Sequence, residues 1–241
     1  MDSGDRRIYS ADVATSHFSR YLLRTTDVEG AAVFYDAVLG RRGDGIALLP
    51  EAAIARGARP HWLGHIGVHG RGAAEVMAAR FVELGATRLS PPAVASDVVI
   101  LRDPGGAIVA VTDSAAKSSA DVVWHQLNTR KPSAAAANYS SLFGWSLTET
   151  ADLGDLGRHQ HFAFGPGESS GGAIADIEGR PEVHAHWLFF FAVASLDASL
   201  ERVRTNGGFA IGPFELPNGE RGAVCDDAQG AAFGLFEAKA P

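Results

Sequence analysis

The chain has 241 residues, 46% of them hydrophobic, with 28 glycines and a formal net charge of −7 at pH 7. This suits a soluble globular protein of one or two domains with enough apolar residues for real cores. The acidic balance argues against broad binding to nucleic acid or anionic membranes, which needs clustered Lys and Arg, and no apolar run approaches the roughly 20 residues that cross a bilayer.

The opening stretch, MDSGDRRIYSADVATSHFSR, is polar and carries acids, so it does not read as a signal peptide. Arg20 begins RYLLRTTDVEGAAVFYDAVLG, a short alternating strand followed by a helix. Asp27 is placed to cap that helix, and Ala31, Phe34, Val38 and Leu39 recur at helical spacing until Gly40 stops it. Between Gly40 and Arg59 there is room for only few or short strands. The strand HWLGHIGV follows, then a second helix, AAEVMAARFVELGA, then the hairpin VVILRDPGGAIVAVTD, whose DPGG is turn chemistry.

The same grammar returns in the second half. WHQLNTRKPSAAAANYSSLFGW repeats the strand and helix, with Tyr139 matching Tyr35. HWLFFFAV repeats HWLGHIGV, LDASLERVRTNGG the second helix, and AVCDDAQGAAFGLFEA the closing hairpin. Tyr35 to Tyr139 is an offset of 104 but Trp62 to Trp187 is 125, so the first module of the first half is shorter by 21 residues. Two tandem domains are expected, at 18–114 (with a trimmed first module) and 121–239, after a tail of 1–17 and joined by a linker at 115–120. Cys225 is the only cysteine, which rules out an intrachain disulfide or a thiolate cluster, and the plain reading of the chain is cytoplasmic.

The strand–Asp–helix–FY–LG opening and the DP-x-G closing hairpin resemble the vicinal oxygen chelate superfamily of glyoxalases, bleomycin-resistance proteins and extradiol dioxygenases. With its doubled arrangement and the LFGW and HW signatures, the chain looks like the two-domain glyoxalase-like proteins of actinobacteria. The resemblance implies an α+β fold of four βαβββ modules, whose mixed sheets curl into cups with helices outside and ligand inside. It also implies where metal-dependent members hold their cation. The first-strand positions fall on Arg20 and Trp124, and the last-strand glutamate on Ala110 and Gly234. The strand histidine falls on Leu63 and Leu188 in one register, or on His65 and its match Phe190 in the other. A divalent site needs about three protein ligands and an open position, so the usual metal site looks lost and no cofactor is expected.

Other residues could carry chemistry. Alternation points Trp124, Gln126 and Asn128 into the second cup with Phe190, an apolar wall with amide fixtures suited to a small molecule or, equally, to a filled core. His125 should face the helix side, in a packing role. His159 and His161 share one strand face, as do His184 and His186 before the next, and two such pairs could begin a rearranged metal site. In the first cup, Arg20 and Arg24 should face inward beside His65, where they would bind an anion or, the favoured reading, form salt bridges at the domain interface.

The reading that follows is a protein that binds a small organic molecule, mainly in the second cup, with metal-free catalysis by His161 or His65 possible. The alternative is a metal-dependent isomerase, lyase or dioxygenase with a rearranged histidine site. A third reading makes the first domain a docking surface. Neither a nucleic-acid nor a membrane partner is expected, and tandem pairing leaves monomer or homodimer open.

Overall fold

The computed structural model describes residues 15–40, 45–91, 97–114, 122–216 and 219–237. The expected linker at 115–120 and nearly all of the expected tail lie outside them. No helix among the described residues is long and apolar enough to cross a membrane.

Strand β1 (Phe18–Thr25) leads into helix α1 (Val28–Leu39). Asp27 caps it by accepting from the backbone N–H of Gly30 at 2.9 Å, and Gly40 ends it at φ 67°, a left-handed conformation that suits glycine. The second copy, β7 (Val122–Thr129) and α4 (Pro132–Phe143), begins its helix differently. There Lys131 makes no side-chain cap, and Pro132, with its fixed φ and no N–H to satisfy, starts the first turn. The repeated His-Trp-Leu strands are β3 (His61–Gly67) and β11 (His186–Val193), followed by helices α3 (Ala73–Glu83) and α5 (Leu196–Thr205).

These elements build two mixed sheets. The smaller has the order β2-β1-β3-β6-β5-β4, where β2 is Ile46–Leu48, β4 Thr87–Arg88, β5 Val98–Arg102 and β6 Ile108–Thr112. The larger has the order β12-β13-β14-β11-β7-β10-β9-β8. Its further strands are β8 (Ser146–Asp152), β9 (Arg158–Ala163), β10 (Gly172–Asp176), β12 (Phe209–Glu215), β13 (Arg221–Asp226) and β14 (Ala232–Glu237). The central pairs β1–β3 and β7–β11 are antiparallel, and each of these four strands has a parallel partner on its other side. The missing 21 residues are visible as topology. β2 stands beside β1 where β10 stands beside β7, and the described residues between α1 and β3 supply only β2 and the one-turn helix α2 (Glu51–Ile54).

The helix-bearing faces of the two sheets pack on one another, α1 against α5 and α3 against α4, in one continuous core. Alternation along each central strand sends one set of side chains into that core and the other to the opposite, concave face. At the centre, residues meet their own counterparts. Tyr21 and His125, related by the 104-residue offset, hydrogen-bond at 2.6 Å. Gly64 and Phe189, related by the 125-residue offset, are in direct contact, since a Cβ on Gly64 would lie 2.5 Å from Cζ of Phe189. The change from Gly-His-Ile to Phe-Phe-Phe therefore begins as packing complementarity: the glycine leaves the space that the first phenylalanine fills.

The repeated tryptophans close the ends of the same layer. Nε1 of Trp62 donates to the hydroxyl of Tyr35 at 2.9 Å, and that hydroxyl donates to Asp227 of the other half at 3.2 Å. Reciprocally, Trp187 donates to Tyr139 at 3.2 Å and Tyr139 to Asp103 at 3.3 Å. Each aspartate also accepts two backbone N–H groups of its own turn, Gly105 and Ala107 for Asp103, and Gln229 and Ala231 for Asp227. Burial raises the pKa of both carboxyls.

Candidate functional site

Three cross-strand pairs occupy the concave face at the centre of each sheet. In the larger sheet they are Trp124–Phe190, Gln126–Leu188 and Asn128–His186. In the smaller they are Arg20–His65, Leu22–Leu63 and Arg24–His61. The same rungs thus carry aromatic and amide groups in one cup and cationic and imidazole groups in the other. The larger sheet curls enough for its two edges to share a cavity of about 490 Å³, lined by Asp152 at the end of β8, Leu153 and Leu156 after it, and Glu215 and Leu216 at the end of β12.

The floor of the larger cup is built by flat rings over glycines. Phe190 lies against Gly234, where an added Cβ would come within 2.1 Å of its ring, and Phe236 stacks on Phe190 at 4.7 Å between centroids. Trp124, half-buried, meets the ring of His161 edge-on at 5.1 Å.

A polar relay runs beside these rings. Nε2 of Gln126 donates to Oδ1 of Asn128 at 2.9 Å, and Nδ2 of Asn128 faces Nε2 of His186 at 3.3 Å. Nδ1 of His186 lies 2.8 Å from the carbonyl of His184, which can only accept, so Nδ1 holds the proton and Nε2 takes the amide N–H. Burial lowers the pKa of His186 to about 4, which keeps this tautomer neutral at neutral pH.

His159 and His161 stand opposite Ala175 and Ala173, which pair in turn with Asn128 and Gln126, so both histidines share the cup face. His159 is tied through Nε2 to the carbonyl of Leu156 at 3.2 Å, and burial lowers its pKa. Nδ1 of His161 lies 3.4 Å from Oε1 of the exposed Glu149, on the edge strand β8. Glu149 was not singled out in the sequence, and only the pairing of β8 with β9 brings it to the histidine. His184 stacks on His186 at 4.5 Å rather than joining His159 and His161. His125 faces the core as alternation requires, stacked on Phe18 at 4.8 Å.

In the smaller cup, Arg20 is exposed, Arg24 half-buried and His65 buried, all on the face away from the other sheet. Among the described residues Arg20 and Arg24 form none of the expected interface salt bridges, because the residues that reach the other sheet are their alternates, Tyr21 and Leu23. Neither ring nitrogen of His65 has a hydrogen-bond partner.

The positions implied for metal ligands line up as two lateral rows. Arg20, His65 and Ala110 are neighbours across β1, β3 and β6, and Trp124, Phe190 and Gly234 across β7, β11 and β14. The first row offers a single imidazole beside an arginine and the second offers no ligating side chain, so a divalent cation of the family's kind does not fit either row. Among the described residues no three His, Cys, Asp or Glu side chains converge elsewhere.

Comparison with known proteins agrees with this architecture. The model of the Glyoxalase/Bleomycin resistance protein/Dioxygenase superfamily matches residues 121–235. The anthracycline biosynthesis protein DauV of Streptomyces sp. (strain C5) is 32% identical over 134 residues, covering 47% of this chain and 45% of that protein. The chain spans about half the length of the curated relatives it matches. Among solved structures, the 2,3-dioxygenase LapB from Pseudomonas sp. KL28 superposes with a TM-score of 0.59 at 14% identity, over 91% of both chains. The Mn(II)-bound glyoxalase from Novosphingobium aromaticivorans does so at 0.57 and 14% identity, over 94% of this chain and 82% of that one. At such identities the likeness is one of fold.

Proposed function

Because residues 121–235 belong to the glyoxalase, bleomycin resistance protein and dioxygenase superfamily, we propose that the larger cup binds a small planar organic molecule by stacking and hydrogen bonding. The observation that carries this reading is the row of facing pairs Trp124–Phe190, Gln126–Leu188 and Asn128–His186. An aromatic wall with a fixed line of amide and imidazole dipoles recognises a flat ring with a polar edge. Gln126 spends one N–H on Asn128, which leaves its carbonyl oxygen and second N–H for a ligand. DauV, named for anthracycline biosynthesis, accords with an organic ligand.

Turnover without a metal would fall to His161. Oε1 of Glu149 lies 3.4 Å from its Nδ1, so Nε2 is the nitrogen that would take a proton from a bound hydroxyl or acidic C–H. The metal-dependent alternative stands second, since neither row of family positions supplies the ligands.

The test is fluorescence titration with fused-ring phenols. Trp62, Trp145 and Trp187 are buried in the shared core, so Trp124 is the tryptophan that a ligand in the cup would quench. Quenching that is lost in Trp124→Leu supports the reading, and a bound phenol whose affinity ignores that substitution overturns it. Mass analysis of the recovered compound, with His161→Gln as control, separates binding from turnover.

A further inference from the structure

We propose that the concave face of the smaller sheet is a second, separate ligand site, which takes a small organic anion whose charged oxygens lie on Arg20, Arg24 and His65. The first support is charge. The six strands of this sheet, FSRYLLRT, IAL, HWLGHIG, TR, VVILR and IVAVT, contain no Asp or Glu, although the chain carries 28 acids against 21 bases. The larger sheet, by contrast, places Glu149, Asp152, Asp176, Glu215, Asp226 and Glu237 on its strands.

The second support is that these cations are uncommitted. Arg88 is used by Glu75, through two bonds of 2.6 and 2.8 Å, whereas Arg20 and Arg24 have no ion pair among the described residues. They lie near enough for Arg20 to add to the lowering of the Arg24 pKa that burial begins, a mutual repulsion that an anion between them would relieve. The third is His65. Only 3% exposed, it keeps both ring nitrogens without a hydrogen-bond partner among the described residues, which is costly for a buried polar group. Burial and the two arginines hold its pKa at about 4, so the ring is neutral and offers one N–H donor and one lone pair. An anion oxygen satisfies the first, and a hydroxyl next to the charged group satisfies the second. The rungs Arg20–His65 and Arg24–His61 lie on either side of the rung Leu22–Leu63, so both arginines and His65 share one face of the sheet.

This proposal does not rest on the reading of the larger cup. Calorimetric titration of the full chain with benzoate, and with benzyl alcohol as its uncharged counterpart, tests it. Benzoate should bind, benzyl alcohol should bind at least about tenfold more weakly, and Arg24→Gln or Arg20→Gln/Arg24→Gln should weaken benzoate by about tenfold or more. Trp124→Leu should leave it unchanged. Both arginines lie outside the core, so the variants should melt like the parent. As an independent readout, the imidazole nitrogen resonances of His65, assigned through His65→Gln, should shift on benzoate addition. Absence of benzoate binding, equal affinity in the double arginine variant, or sensitivity to Trp124→Leu in place of the arginines would each overturn the proposal.

Discussion

The hydroxyl of Tyr21 donates to Nε2 of His125 across 2.6 Å at the point where the two halves meet. Nδ1 of His125 lies 2.8 Å from the carbonyl of Gly171, an acceptor only, so the proton sits on Nδ1 and Nε2 presents its lone pair to the tyrosine. Both groups are buried, and burial lowers the histidine to about 4 while raising the tyrosine. With Tyr21 as the donor the contact uses a neutral imidazole, the form that burial favours.

Acid should therefore loosen the molecule. His65, His125 and His186 all sit at about 4 in the folded chain, against 6.5 for an unperturbed histidine. A depressed pKa means that the unfolded chain binds protons first, so the stability these groups contribute is full above about pH 6.5 and is lost as pH falls towards 4. The slope is about 1.4 kcal/mol per pH unit for each. Asp103 and Asp227 act in the opposite sense: with raised folded pKa values, their contribution is full below the ordinary carboxylate value and is lost as pH rises through the folded one. Urea unfolding at pH 7, 6 and 5 should show a steep decline, made shallower by about one proton in His125→Gln. A flat profile across that range would contradict the assignment.

Tyr35→Phe should cost about 1–3 kcal/mol, because Nε1 of Trp62 loses its acceptor and Asp227 loses a donor, all of them buried. Tyr139→Phe removes the reciprocal pair and should cost a similar amount. The two substitutions touch different ends of the layer and should add in the double variant, as read from denaturant midpoints.

Asn128→Asp should raise the pKa of His186 from about 4 by roughly one to three units. The asparagine amide now donates to Nε2, and a carboxylate in its place can only accept, which favours a protonated ring. Titration of the imidazole proton resonances reads the shift directly, and an unmoved value would show that the relay runs the other way.

Gly234→Ala should displace the Phe190 ring that lies where its Cβ would go, at a cost of about 1–3 kcal/mol for overpacking. Phe190→Leu in the same background should recover part of the loss, since the aliphatic side chain can yield the space. Additive losses would mean that the strain lies elsewhere.

Much of this architecture is written in local pattern. Period-two alternation assigns Trp124, Gln126 and Asn128 to one face and His125 to the other, and the same rule turns Arg20 and Arg24 away from the interface. That placement is why the interface salt bridges expected of the two arginines are absent among the described residues. The repeat placed Tyr35, Trp62 and Asp103 opposite Tyr139, Trp187 and Asp227, yet the exchange of hydrogen bonds between halves was invisible, since it joins residues up to 192 positions apart. Glu149 escaped notice for a related reason. Its approach to His161 depends on a shifted register between β8 and β9, which hydrophobic pattern does not encode.

Gly64 and Phe189 occupy equivalent places in the two halves and touch each other. In a symmetric pairing of two first halves, glycine would oppose glycine and leave a hole in the middle of the joint. In a pairing of two second halves, phenylalanine would be driven into phenylalanine. Each half is therefore a poor partner for a copy of itself and a good one for the other, so the joint enforces hetero-pairing by shape. Co-expressed as separate pieces, the halves should seek one another and shun self-association.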